Sequence, residues 1–131
     1  MVYNSGEKWS ISLWEDVESW ILSLDDKSYE QVAAAITRLE EFGPALGRPT
    51  VDSVKGSRFH NMKELRPGSA GSSRIRILFA FDPLRRAILL VAGDKQNNWK
   101  RWYRENIPIA DERFTDWLRN EEGNDDNGNV G

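Results

Sequence analysis

The chain contains no cysteine and a single histidine, His60. The lack of cysteine excludes a disulfide framework and any thiolate-based metal or redox site. Zinc prefers several nitrogen or sulfur ligands, so one histidine without cysteine gives no basis for a zinc site either. We therefore expect no metal and no other cofactor.

Long apolar runs are also missing, since no stretch approaches the roughly 20 residues that a membrane-spanning helix needs. The N-terminus does not show a basic segment followed by an apolar one, as a signal peptide would. With 131 residues, 39% hydrophobic and 30% charged, the chain has the size and composition of one globular domain. We expect a cytoplasmic protein without membrane contact.

Charge is distributed unevenly along the chain, although the formal net charge is only −3. Residues 1–47 and 105–131 each carry −6, whereas residues 48–104 carry +9. This asymmetry predicts that a polyanion or an acidic partner contacts the middle of the chain. The alternative is an exposed basic face whose counter-charges come from the flanking segments.

Hydrophobic spacing predicts a strand and two helices before residue 43. The segment 8–14 alternates apolar and polar residues as a half-buried strand does, and the apolar residues in 17–24 follow helical spacing. Ser28 and Gln31 have the spacing of a capping box that would begin the second helix. Gly43, followed by proline, marks the end of that helix.

The middle of the chain predicts a β-hairpin. Residues 43–58 have the composition of a loop, and residues 59–67 indicate a strand that a proline ends. The strongest β signal is "RIRILFAF", the turn "DPLR" and then "RAILLVAG". Because side chains alternate along a strand, Arg74 and Arg76 are expected on one face and Ile75, Ile77, Phe79 and Phe81 on the other.

A last helix is predicted over residues 107–120, with Pro108 in its first turn. Residues 120–131 are acidic and nearly free of apolar side chains, so we expect a disordered tail after a domain spanning residues 1–119. The order of elements, a strand, two helices, three strands and a helix, is that of an α+β protein.

Three segments that follow the helical hairpin resemble one known family. They are "KGSRFHNMKELRPG", "RIRILFAFDPLRRAILLVAGDK" and "NNWKRWYRENIP". They are similar to the RelE/ParE superfamily of toxins from type II toxin–antitoxin systems, in its HigB-like branch. The resemblance covers residues 7–120 and implies a RelE-like fold. In that fold, an N-terminal strand and a helical hairpin pack on a small, twisted, mainly antiparallel sheet, and a helix ends the domain.

The resemblance also implies a function and partners. It indicates a metal-independent endoribonuclease that cleaves mRNA on the ribosome and so inhibits translation and growth. A cognate antitoxin, HigA-like with a helix-turn-helix domain, would neutralise it and bind operator DNA in the complex. Two alternatives stay open: a ParE-like toxin that poisons DNA gyrase without cutting nucleic acid, and a degenerate domain that only binds its antitoxin.

Metal-free RNA cleavage by the substrate's 2′-hydroxyl needs a proton acceptor, cations for the phosphate and a proton donor. One histidine cannot form a histidine pair, which leaves lysine, arginine and tyrosine. The resemblance assigns catalytic roles to Arg76, on the scissile phosphate, and to Lys95, Lys63 and Tyr103. It places RNA-binding roles on Arg66, Arg74, Lys100, Arg101, Trp102 and Arg104.

Each of these assignments has a structural alternative. Arg74 and Arg76 could pair with carboxylates such as Asp94 and hold strands together. Trp102 could anchor the core instead of stacking on a base. Glu64 would place a negative charge at a phosphate site, so we expect it to face away, on the side opposite to Lys63.

Overall fold

The computed structural model describes residues 8–130, with side chains placed for residues 8–120. In that part, three helices and five strands follow one another. They are β1 (Ser10–Leu13), α1 (Glu15–Leu22), α2 (Asp26–Phe42), β2 (Val51–Ser53), β3 (Lys63–Leu65), β4 (Ile75–Phe81), β5 (Arg86–Asp94) and α3 (Trp99–Val130). This arrangement confirms the α+β class.

The strands form one sheet in the order β1-β5-β4-β3-β2. β1 pairs with β5 in parallel, and the other three pairs are antiparallel, as the resemblance implied. Between β4 and β5 the register shifts, because Leu78 pairs with Val91 while Phe79 pairs with Leu89. The extra residue, Leu90, is a bulge that puts Leu90 and Val91 in the same hydrophobic cluster.

Helices cover both faces of the sheet. α1 and α2 pack on the face that carries Ile75, Ile77 and Phe79, as the alternation of β4 predicted. α3 packs on the other face, where Leu78 and Ala80 join a second apolar cluster. The face that begins with Arg76 is therefore also a packed face, covered by α3.

The start of α2 differs from the prediction. Its N-cap is Asp25, whose carboxylate accepts a hydrogen bond of 2.8 Å from the backbone nitrogen of Ser28. Ser28 is thus a residue of the first turn and not the cap, because the carboxylate three residues earlier already satisfies its N–H. Gly43 ends the helix as predicted, with a φ of 52° that favours glycine.

Two further boundaries were not predicted correctly. β2 lies inside residues 43–58, which were expected to form a loop, and its three residues pair with β3. α3 begins at Trp99, so Pro108 is inside the helix rather than in its first turn. The residues before Pro108 also form helix because Trp102 and Tyr103 pack on the sheet. α3 runs to Val130. The domain boundary at residue 119 and the disordered tail over residues 120–131 stay predictions.

Gly93 of β5 allows α3 to approach the sheet. A Cβ added at Gly93 would lie 2.7 Å from the indole nitrogen of Trp102. Any side chain there would push α3 away from the sheet. Gly47 offers a contrast, since a Cβ added there has nothing within 4 Å.

We predict that Gly93→Ala lowers the free energy of unfolding by about 1–3 kcal/mol, the usual cost of an overpacked contact. The matched control Gly47→Ala should change it by less than about 0.5 kcal/mol. Urea denaturation monitored by tryptophan fluorescence measures both. Equal effects of the two substitutions would contradict the close packing of Trp102 on β5.

Candidate functional site

Charged side chains from several elements meet where β3 and β4 face the first turns of α3. β3 supplies Glu64, β4 supplies Arg76, the residue after β5 is Lys95, and α3 contributes Tyr103. The Tyr103 hydroxyl donates a hydrogen bond of 2.5 Å to Oε1 of Glu64. Arg66 lies beside them, with its Nε 3.9 Å from Oε2 of Glu64. We call these five residues the cationic cluster.

Tyr103 is held in its protonated form. Burial, together with the hydrogen bond and negative charge of Glu64, raises the pKa of Tyr103 to about 12, although Arg76 acts in the opposite direction. Glu64 is itself only 7% exposed, so its charge is little screened by water. At neutral pH Tyr103 is therefore a hydroxyl that can donate a proton or hydrogen bond.

The pKa of Lys95, in contrast to that of Tyr103, is lowered. Burial, and then the charges of Arg76 and Arg66, lower the pKa of Lys95, while Glu64 partly opposes them. The backbone nitrogen of Lys95 donates to the carbonyl oxygen of Arg74 at 3.0 Å, which fixes where its side chain leaves the sheet. The direction of this shift favours the neutral amine, the form that accepts a proton.

Arg76 is the most deeply buried member of the cluster. It is 2% exposed, and its Nη1 donates to the carbonyl oxygens of Ser73 (2.6 Å) and Ile75 (2.8 Å). Its Nε is buried without a hydrogen-bond partner among the described residues. Arg76 is therefore a buried, fixed positive charge that acts on both Lys95 and Tyr103.

Two neighbours in β3 face the reverse of what was expected. Lys63 pairs in register with Phe79, whose side chain belongs to the face of α1 and α2. Glu64 pairs with Leu78, on the face of α3. The sequence thus correctly predicted that Lys63 and Glu64 face opposite sides of the sheet, but it assigned each of them to the wrong side. Lys63 lies on the far side of the sheet, and Glu64 enters the cluster.

The aromatic residues of the first α3 turns separate into two roles. Trp102 packs over Gly93 and against the α3-side core, which favours the structural alternative for this residue. Trp99 is 51% exposed, and the Nζ of Lys100 lies 5.6 Å from the centre of its ring. Of the two indoles, Trp99 is therefore the one free to contact another molecule.

The remaining predicted cations lie around the cluster. Arg74 and Arg104 are exposed, and exposed Arg101 pairs with Glu105 at 3.0 Å. Arg66 keeps 29% of its side chain exposed while its Nη1 lies 3.6 Å from Oδ2 of Asp52. Within the cluster, Lys95 and Arg66 are thus the partly exposed cations, whereas Arg76 is buried.

Glu64 is the site residue that sequence reasoning assigned to the wrong side. The neighbouring residues Met62 and Leu65 are both apolar, so the sequence did not show which face each of them takes. Met62 belongs to the α3-side cluster and Leu65 to the opposite one, which assigns Glu64 to the face of Met62.

Among the described side chains, no group of three or more histidine or acidic residues is placed to hold a metal ion. In the same part of the chain, none of the helices combines the length and apolar character needed to cross a membrane.

The fold is similar to that of a solved toxin. A free-state structure of a mutant of the Escherichia coli toxin RelE matches with a TM-score of 0.51 and 12% identity, over 70% of this chain and 88% of that one. At this identity the match shows the fold alone. The sheet order, the helical hairpin and the closing helix are thus those of a RelE-like domain.

Sequence comparisons identify the family. Residues 19–115 match the model described as "Phage derived protein Gp49-like (DUF891)". Two Mycobacterium tuberculosis relatives carry the names "Putative toxin HigB3" and "Putative toxin HigB2". The first is 58% identical over 87% of this chain and 97% of its own length, and the second is 59% identical over 79% and 52%. The chain belongs to the Gp49-like family and, through these relatives, to the HigB-like toxins.

We predict that Tyr103 titrates about two pH units later than an ordinary tyrosine, near 12 rather than 10. Its folded-state pKa is raised, so its contribution to stability is complete below pH 10 and is lost as the pH rises through 12. The ultraviolet absorbance of tyrosinate, in wild type minus Tyr103→Phe, measures this titration. A Tyr103 that titrates near 10 would contradict the bond to Glu64.

Proposed function

We propose that this toxin is a metal-independent endoribonuclease that cleaves mRNA on the ribosome. The observation that carries the proposal is Lys95, a partly buried lysine near Arg76, Arg66 and Glu64, the carboxylate that accepts the hydrogen bond of the Tyr103 hydroxyl. Such a group combines a proton acceptor, positive charge and a proton donor within one small volume. These are the three requirements of cleavage by the substrate's own 2′-hydroxyl.

In the proposed reaction, neutral Lys95 accepts the proton of the 2′-hydroxyl as that oxygen bonds to the adjacent phosphorus. The bond from phosphorus to the 5′-oxygen breaks, and Tyr103 supplies the proton that this leaving oxygen takes. The products are a 2′,3′-cyclic phosphate and a 5′-hydroxyl end. Arg66 reaches the phosphate oxygens from the rim and stabilises their added negative charge.

Arg76 acts through its neighbours in this scheme. Its guanidinium is held by two backbone carbonyls, so it contributes a fixed positive charge without moving. That charge favours the neutral amine of Lys95. It also adds to the positive potential that attracts the phosphate. We therefore assign it a positioning role.

The biological setting follows from the family. HigB-like toxins imply a cognate antitoxin, and we propose a HigA-like protein with a helix-turn-helix domain as that partner. Through it, the toxin–antitoxin complex would bind operator DNA. The free toxin would act in the cytoplasm, where ribosomes and mRNA are found. A helix-turn-helix protein encoded beside this gene would support this assignment.

We predict that Lys95→Ala abolishes growth arrest and lowers mRNA cleavage by about 100-fold or more, the usual effect of removing an acid–base group. Lys63→Ala should keep full toxicity, because Lys63 faces the opposite side of the sheet. Primer extension on mRNA from cells expressing each variant measures cleavage. Loss of cleavage in Lys63→Ala, with Lys95→Ala unaffected, would overturn the site.

Lys95→Arg separates charge from proton transfer. Arginine keeps the positive charge but does not lose its proton in the working pH range. We expect this variant to bind RNA as the wild type does and to cleave it as poorly as Lys95→Ala. Wild-type cleavage should rise with pH as Lys95 loses its proton. A Lys95→Arg enzyme with normal cleavage would restrict Lys95 to phosphate binding.

A further inference from the structure

A cleft of about 320 Å³ opens beside the cationic cluster, between the end of β2 and the first turns of α3. It is lined on one side by Ser53, Val54 and Lys55, and on the other by Trp99, Tyr103 and Ile107, with Glu64 between them. Two members of the cluster, Glu64 and Tyr103, thus also face this cleft. A molecule bound at the cluster can extend into it.

The walls of the cleft suit a flat, apolar group. Trp99 is half exposed, and its ring centre lies 6.3 Å from that of Tyr103 at an angle of 74°. Unlike Trp102 and Tyr103, Trp99 is not among the side chains that pack on the α3-side core. Lys100 lies against its ring and adds a positive charge at the rim. About half of the Trp99 indole is therefore accessible to a ligand in the cleft.

The negative charge of Glu64 favours a base over a phosphate group in the cleft. A buried carboxylate repels a phosphate, so the phosphates are directed to Lys95 and the surrounding cations. The same carboxylate oxygens accept hydrogen bonds from amino groups on a base. Adenine, cytosine and guanine carry such amino groups, whereas the exocyclic groups of uracil are acceptors only.

We propose that this cleft binds an unpaired nucleobase next to the scissile phosphate, with Trp99 as the stacking wall and Glu64 as the acceptor of an amino group. This inference rests on the proposed ribonuclease function, since it takes RNA to be the ligand. It predicts that the protein prefers amino-bearing bases over uracil at one position. The exposed Lys55 at the opposite rim lies where the RNA backbone would leave the cleft.

The test uses the full chain and two nucleotides, adenosine 3′-monophosphate and uridine 3′-monophosphate. Nuclear magnetic resonance resolves the indole N–H signal of each tryptophan, and Trp99→Phe identifies that of Trp99. We expect adenosine 3′-monophosphate to shift the Trp99 signal while that of Trp20, on α1, stays in place. Uridine 3′-monophosphate should bind several-fold more weakly.

Two variants sharpen the test. Trp99→Ala should weaken adenosine nucleotide binding by roughly 5- to 100-fold, the range that follows from losing one base–aromatic stack. Glu64→Gln should narrow the difference between the two nucleotides, because an amide both donates and accepts. Trp20→Phe is the matched control and should leave both affinities unchanged.

The outcomes separate this inference from the proposed function. An unshifted Trp99 signal with both nucleotides, in a protein that cleaves mRNA through Lys95, overturns the base site alone. A shifted Trp99 signal in a protein that leaves mRNA intact supports the site and contradicts the nuclease. Equal binding of both nucleotides by the wild type overturns the role of Glu64.

Discussion

The hydrogen bond between Tyr103 and Glu64 is the contact on which the candidate site depends. It joins the start of α3 to β3 and places a carboxylate among Arg66, Arg76 and Lys95. Without that negative charge, three cations would share a partly buried volume and repel one another. The bond therefore allows a concentrated positive charge to exist inside a packed face of the sheet.

The same arrangement depends on how closely α3 lies on β5. Trp102 rests on the bare backbone of Gly93, which lets Tyr103 in the next position reach Glu64. Asn106 donates to the carbonyl oxygen of Trp102 at 2.8 Å, two residues before the proline that interrupts the helix. Packing on the sheet, and not helix propensity, thus sets where α3 begins.

The strands were predicted well where the apolar segments of the sequence were long. The β4–β5 hairpin was predicted because two apolar segments of seven and nine residues flank a short turn. Alternation at the start of β4 placed Arg76 on the face opposite to Ile75 and Ile77. β2 and β3 have three residues each, too few for the sequence to show which side chains face which side of the sheet. Lys63 and Glu64 were therefore assigned to the wrong faces. Pro108 marked a helix start that tertiary packing overrides.

The proposed mechanism requires that the cationic cluster directs a 2′-hydroxyl at the neighbouring phosphate of RNA. Mass spectrometry of the ends of mRNA fragments from cells expressing the toxin tests it most directly. We expect 2′,3′-cyclic phosphate and 5′-hydroxyl ends. Fragments ending in 3′-hydroxyl and 5′-phosphate would show attack by water instead and would contradict it.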